Sequence, residues 1–303
     1  MTLVELKRFL TTRTVQANIS CKTIIVTFFG DVISVHGNWI WLGSLIESLA
    51  PLGYSERLVR TSVFRLVEED WLKVNKIGRK SYYSLTDTAI KHNQKAAKRI
   101  YSATGYSNTN EWLIVLPSFV SDEKLPELKK RLMWLGFSSI ARSVYAHPTF
   151  DNGSLEETLR ELELSDSVIV FSGRTIDNQS SAVLKQLVFK KWNLTELQSK
   201  YNQLIETYQP IFAMTLEGNK VTGQQSFLLR LLSLHEFRRV LLQDYDLSKS
   251  MLPNDWSGSI ARKLISDIYQ DIKKSSCNHI VANMESQNGL LPKASSDFHT
   301  RFV

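Results

Sequence analysis

The chain has 303 residues, 43% of them hydrophobic and 22% charged, with 37 Lys+Arg against 30 Asp+Glu. That length fits two or three domains, and the apolar share is ample for packed cores, which excludes fibrous and wholly disordered classes. No stretch approaches the ~18 uninterrupted apolar residues of a membrane span; the best, residues 23–35, is broken by Asp31. Residues 1–10 show no basic-then-apolar leader, and Cys21 and Cys277 have no metal or redox spacing, so the expectation is a reduced, cytoplasmic protein. The positive charge is localised: residues 1–106 hold 15 Lys+Arg and 8 Asp+Glu, whereas the remainder holds 22 of each. A basic module attached to a neutral remainder favours a polyanionic partner such as nucleic acid or anionic lipid.

Residues 1–20 are polar and read as an arm or short helix. Ile24, Ile25, Phe28, Phe29 and Val32 then recur at helical spacing, and Trp39, Leu42, Leu45, Ile46 and Leu49 predict a second helix stopped by Pro51 and Gly53. Ser55 is placed to cap a third helix whose buried stripe is Leu58, Val59, Ser62, Val63, Leu66 and Val67. The run 71–76, a turn at Gly78-Arg79-Lys80 and the run 81–85 predict a hairpin with a basic tip. Thr86 can cap a helix towards Tyr101, and residues 102–110 (SATGYSNTN) read as a linker.

After that linker, residues 112–116 predict a buried strand, 125–135 a helix, 138–146 one or two strands, 155–164 a helix and 167–171 a strand. This alternation predicts a small ferredoxin-like α+β unit. From Ala182 the chain reads as mostly helical, including 194–208, 224–242 and 260–272. Residues 275–303 are polar and unpatterned and read as a mobile tail. The predicted class is α+β and multidomain. A winged helix-turn-helix occupies 1–105 with an arm at 1–20, a ferredoxin-like dimerisation domain 106–175, a helical C-terminal domain 176–275, and the tail 276–303.

Two helices, a tight turn, a third helix and a basic two-stranded wing form the winged helix-turn-helix pattern. The third helix carries a second face of Arg57, Arg60, Thr61, Phe64 and Glu68, with Arg65 beside it and Ser55 at its head. Long donors suit guanine edges and phosphates, and a short hydroxyl or methyl suits a further base contact, so these residues are the candidate DNA readers. Arg79 and Lys80 at the wing tip suit phosphate or minor-groove contacts. A merely solvated basic helix is the plain alternative, and the hairpin that follows the helix argues against it.

The motifs FGD (29–31), WLGSL (41–45), LAPLG (49–53) and ERLVRTSVFRLV (56–67), with Leu72, Gly78-Arg79 and SYYSLT (81–86), closely resemble the PaaX family of phenylacetic-acid operon repressors. RLMWLGF (131–137), HEFRRVLL (235–242) and LPNDWSG (252–258) continue the likeness, which covers roughly residues 21–275; the family more often has Pro where this chain has Ser257. The resemblance implies a homodimer that binds imperfect palindromic promoter DNA and is released by the effector phenylacetyl-coenzyme A. The expectation from the motifs the sequence lacks is no catalytic activity, no cofactor and no metal.

For the effector, two readings stand for His235, Arg238 and Arg239. An arginine pair can grip the phosphates of coenzyme A; alternatively the pair ties its helix to Asp244 and Asp246, which is the preferred reading. Trp256 with Asp255 can wall an acyl pocket or simply anchor a core. Trp39 and Trp41 read as packing residues. A nuclease-like middle domain is disfavoured because the first strand ends Leu116-Pro117-Ser118, with Asp122 the nearest acid and no second ligand evident. No nucleophile elbow points to an acyl-transfer enzyme. A protein-interaction module without specific DNA binding is the remaining rival.

Overall fold

The computed structural model describes residues 2–102, 111–148, 152–216, 221–245 and 247–303. Most of the linker read at 102–110, and Asp246, lie outside the described residues.

The chain opens with α1 (Leu3–Gln16), started by a capping box in which the Glu5 amide donates to Thr2 Oγ1 and the Thr2 amide to Glu5 Oε2. Then come α2 (Cys21–Asp31), β1 (Ile40–Trp41), α3 (Leu42–Leu49) and α4 (Glu56–Glu68). The hairpin β2 (Leu72–Ile77) and β3 (Lys80–Leu85) precedes α5 (Asp87–Ile100). The middle of the chain forms β4 (Trp112–Pro117), α6 (Leu125–Trp134), β5 (Ser138–Ala141), β6 (Val144–His147), α7 (Asn152–Glu161) and β7 (Val168–Gly173). Four longer helices follow: α8 (Asn178–Lys191), α9 (Leu194–Leu216), α10 (Gly223–Leu241) and α11 (Ser257–Asn283). The chain then forms a short hairpin, β8 (Glu285–Ser286) with β9 (Gly289–Leu290), and one helical turn, α12 (Ser296–His299).

These elements gather into two units. The first comprises Met1–Ala103, Asn202–Leu241 and Ser259–Val303; the second comprises Thr104–Tyr201 and Leu242–Gly258. This is not the consecutive division read from the sequence. The reason lies in α10, which is buried on every side from Ser226 to Phe237 and so needs cover all round. It packs on α1 and α2, so a helix more than 200 residues along the chain completes the core of the N-terminal segment.

In the first unit α2 contributes Ile24, Ile25, Phe28 and Phe29, α3 Leu45 and Leu49, and α4 Val59, Val63 and Leu66, all buried. The α3–α4 turn is a 3-10 turn at Ala50–Leu52, ended by Gly53 at φ +87°, a conformation that glycine adopts without strain. Residues 40–41, expected at the start of a helix, form β1 instead, with Ile40 opposite Tyr83 and Trp41 opposite Tyr82. Pairing with the hairpin overrides the helical spacing there, and the helix begins at Leu42.

The tail expected after Ser275 is corrected. Ser276 is buried inside α11, which runs on to Asn283, and Met284, Leu291, Phe298, Arg301 and Phe302 are buried. These side chains are separated by polar residues and by Gly289 and Pro292, so no continuous helix or strand in the sequence announced their packing.

The second unit has the connectivity β4-α6-β5-β6-α7-β7 and an antiparallel sheet in the order β5-β6-β4-β7. Its core is Leu113, Val115, Leu128, Leu132, Phe137, Tyr145, Leu155, Leu159 and Leu164. Alternate residues of β4 face the two helices, which is why Leu113 and Val115 are buried together. The same unit stacks Trp112 against Trp192 and Trp192 against Tyr245, at ring separations of 6.0 and 5.8 Å. Among the described residues no helix is long and apolar enough to cross a membrane, and no group of three or more His, Cys, Asp or Glu is placed to hold a metal ion.

Candidate nucleic-acid interface

α4 starts at Ser55, whose Oγ accepts the Leu58 amide, with Glu56 in the first turn where the helix dipole favours it. Its inner face of Val59, Ser62, Val63 and Leu66 is buried, which leaves Arg57, Arg60, Thr61, Phe64 and Arg65 exposed. The 3.6-residue period thus presents the whole predicted set to solvent. Phe64 is 62% exposed and Leu58 45%, so the outward face carries apolar as well as cationic groups. Leu58, read from the sequence as part of the buried stripe, belongs to that outward face.

The exposed groups are not equivalent. Arg60 holds Glu56, with Nε at 2.8 Å and Nη2 at 2.7 Å from the same carboxylate oxygen. Thr61 Oγ1 donates to the Arg57 carbonyl at 2.9 Å, so its hydroxyl proton is in use and its methyl is the group left to a partner. The Arg57 and Arg65 guanidiniums have no ion-pair or side-chain hydrogen-bond partner among the described residues, nor does that of Arg79.

The hairpin is in register from Leu72–Leu85 to Ile77–Lys80, with Gly78 at φ +58° in the turn. Asn75, Ile77, Lys80 and Tyr82 share one face, together with Trp41; Val74 and Tyr83 share the other, within electrostatic reach of Arg60 on α4. Arg79 stands at the tip without a side-chain partner among the described residues. Lys80 is partnered: its Nζ lies 2.7 Å from Glu285 Oε2 and 4.1 Å from the centre of the Trp41 ring. Glu285 hydrogen-bonds the ammonium and holds its pKa above the ordinary lysine value. No local signal marks Glu285 as the partner, because it lies 205 residues away on β8.

The four residues weighed for an effector fall in different units. His235, Arg238 and Arg239 belong to the first unit and Trp256 to the second. His235 is buried; its Nδ1 meets Thr27 Oγ1 at 2.8 Å, and its Nε2 has no hydrogen-bond partner among the described residues. Arg238 Nη1 reaches the same Thr27 hydroxyl at 3.5 Å, and Arg239 donates to the Ala17 carbonyl at 3.2 Å. Trp256 packs edge-on against Tyr201, whose hydroxyl donates to Asp244. The second unit also contains a cavity of about 570 Å³, lined by Leu113, Leu155, Glu156, Leu159, Arg160, Ser165, Val168, Val170 and Ser172.

Burial, reinforced by the nearby Arg238 and Arg239, lowers the His235 pKa to about 3. The folded protein therefore keeps this ring neutral while the unfolded chain takes up a proton below about pH 6.5. The stability it leaves intact above pH 6.5 is lost as the pH falls towards 3, at ~1.4 kcal/mol per pH unit. Urea unfolding at pH 6.5 and 5.5 should show about 1 kcal/mol of loss from this residue. In His235→Gln that part of the pH dependence should vanish; an unchanged pH slope in the variant would assign it elsewhere.

Comparison with known proteins places three family models along the chain. The PaaX-like protein model matches residues 20–89, the PaaX protein central Cas2-like domain 110–184, and the PaaX-like protein C-terminal domain 192–282. The chain is 35% identical over 285 residues to the transcriptional repressor PaaX of Escherichia coli (strain K12), covering 94% of this chain and 90% of that protein. Among solved structures it is similar to the uncharacterized protein Rv0674 from Mycobacterium tuberculosis, with a TM-score of 0.51 and 18% identity over 88% of this chain and 97% of the other. At that identity the structural likeness speaks to fold alone.

Proposed function

The chain belongs to the PaaX family, and from that premise we propose that it is a transcriptional repressor of a phenylacetate catabolic operon. In this reading α2 to β3 form a winged helix-turn-helix, with α4 as the recognition helix and β2–β3 as the wing. The observation that carries it is the exposed face of α4, where Arg57 and Arg65 lack any partner among the described residues while the buried face anchors the helix. Unneutralised guanidiniums on a rigid helix suit guanine edges and phosphates, and the free Thr61 methyl and the Phe64 ring suit a thymine methyl.

The repressor acts in the cytoplasm as a homodimer through the ferredoxin-like middle domain, so its operator is pseudo-palindromic with half-sites one or more helical turns apart. Phenylacetyl-coenzyme A releases it by favouring a state that binds the operator more weakly, which requires different effector affinities in the two states. The chain has no catalytic role.

Fluorescence anisotropy on DNA from the protein's own upstream region tests this reading. Phenylacetate and phenylacetyl-coenzyme A are titrated separately at fixed salt. Specific binding relieved by the thioester alone is the expected outcome. Specific binding indifferent to both compounds would keep the repressor and discard the effector, and no preference over random DNA would discard the repressor.

A further inference from the structure

The wing has two faces with different neighbours. One looks towards α4; the other, carrying Asn75, Lys80, Tyr82 and Trp41, meets the C-terminal hairpin β8–β9. Gln287 Oε1 accepts from Asn75 Nδ2 at 3.1 Å, Glu285 takes the Lys80 ammonium, and the Glu285 amide donates to Ser44 Oγ at 3.0 Å. The hairpin is anchored from behind: the Pro292 carbonyl lies 2.7 Å from His36 Nδ1, and the Ser295 amide donates to the Val35 carbonyl at 2.9 Å. The backbone on both sides of Glu285 is thus anchored, which keeps its half-exposed carboxylate beside the Lys80 ammonium.

We infer that Glu285 is a positioning residue for DNA binding: it occupies the wing's Lys80 ammonium, against the Trp41 ring, where a DNA phosphate would otherwise sit. The inference rests on the DNA-binding reading above and deepens it, because it puts the C-terminal hairpin in control of the wing's charge. A carboxylate and a phosphate are alternative anionic acceptors for the same three ammonium donors. While this pair is closed, the wing's effective charge is Arg79 and Lys76, and Lys80 is held in reserve.

Salt-dependent binding separates this from a merely structural contact, because the salt slope counts phosphates neutralised. Glu285→Gln should steepen the slope by about one unit and tighten binding to operator and random DNA alike, on the order of fivefold near 0.1 M salt. Lys80→Ala alone should change affinity less than about twofold with the slope unaltered, and in the Glu285→Gln background it should erase the gain. An unaltered slope in Glu285→Gln overturns the inference, as does a Lys80→Ala variant that by itself flattens the slope by about one unit. Arg57→Ala serves as the control for the underlying reading. If it loses operator binding while Glu285→Gln is silent, only the role of Glu285 falls; if the unmodified chain binds no DNA, both fall.

Discussion

Asp31→Ala should destabilise the first unit by about 3–5 kcal/mol, a large share of the ~5–15 kcal/mol that holds a typical domain folded. Asp31 ends α2 with its carboxylate 1% exposed. Arg230 Nε reaches Oδ2 at 2.8 Å and Arg301 Nη1 reaches Oδ1 at 2.9 Å, while the Tyr101 and Tyr269 hydroxyls donate to Oδ1 at 2.7 and 2.9 Å. Both arginines also donate to the Asp31 carbonyl, and Arg230 stacks on the Tyr269 and Phe298 rings. One carboxylate therefore serves two buried guanidiniums. Removing it leaves both charges desolvated and without an anion, which is the costly way to break a buried pair.

Burial by itself would raise the Asp31 carboxyl, but Arg230 and Arg301 outweigh it and hold the group below the ordinary carboxylate range. A depressed folded value means that its contribution is present above about pH 4, where the unfolded chain ionises, and is lost as the pH falls through the folded value. Urea midpoints at neutral pH and an acid titration of unfolding from pH 5 to 2 check both statements. Asp31→Asn, which keeps the size and an acceptor oxygen, should fall between the two. An Asp31→Ala midpoint equal to that of the unmodified chain would show that the arginines find other partners.

Arg57→Ala should weaken operator binding by about 1–3 kcal/mol, roughly 5- to 150-fold, with a smaller loss on random DNA. It stands in the first turn of α4, where the one acid, Glu56, is held by Arg60, and it has no ion-pair partner among the described residues, so its donors are open to a DNA partner. Arg60, one turn on, must first release Glu56. The exposed pair is worth less than about 1 kcal/mol, so the pair delays Arg60 without disabling it. Arg60→Ala is accordingly expected to cost affinity too, at the lower end of the same range. Anisotropy titrations on operator and scrambled DNA give both numbers. Equal losses on the two DNAs would make Arg57 a phosphate contact, and an unchanged affinity would put the reading face elsewhere on the helix.

What the sequence made legible here is what local chemistry determines. The apolar period of α4, the Pro-Gly turn before it and the basic hairpin after it are encoded within some 35 consecutive residues, and each lies where its pattern predicts. The dependence on distant chain was hidden. Asp31 showed only as an interruption of an apolar run, and Arg230 as a lone arginine inside FLLRLLSL. Each was a usable hint of a buried ion, since a charge in such a run needs a partner. Nothing in either segment names the other. Glu285 and Arg301 were harder still, sitting in a segment broken by Gly289 and Pro292, where the two buried aromatics, Phe298 and Phe302, are too few to mark an amphipathic element. β1 was missed for a related reason: a two-residue strand has no alternation to read, and only its pairing with Tyr82 and Tyr83 makes it one.

The discontinuity of the first unit bears on how the protein is made. During synthesis N-terminal segments generally fold first, as they emerge. Here the carboxylate at the end of α2 waits for Arg230, and then for Arg301, before its shell is complete. The nascent N-terminal segment is thus left with an open core until residue 301 has cleared the ribosome. A chain cut short by premature termination would then carry the whole of α4 and the β2–β3 hairpin and still lack the residues that seal that core, so truncated products should be selected for proteolysis.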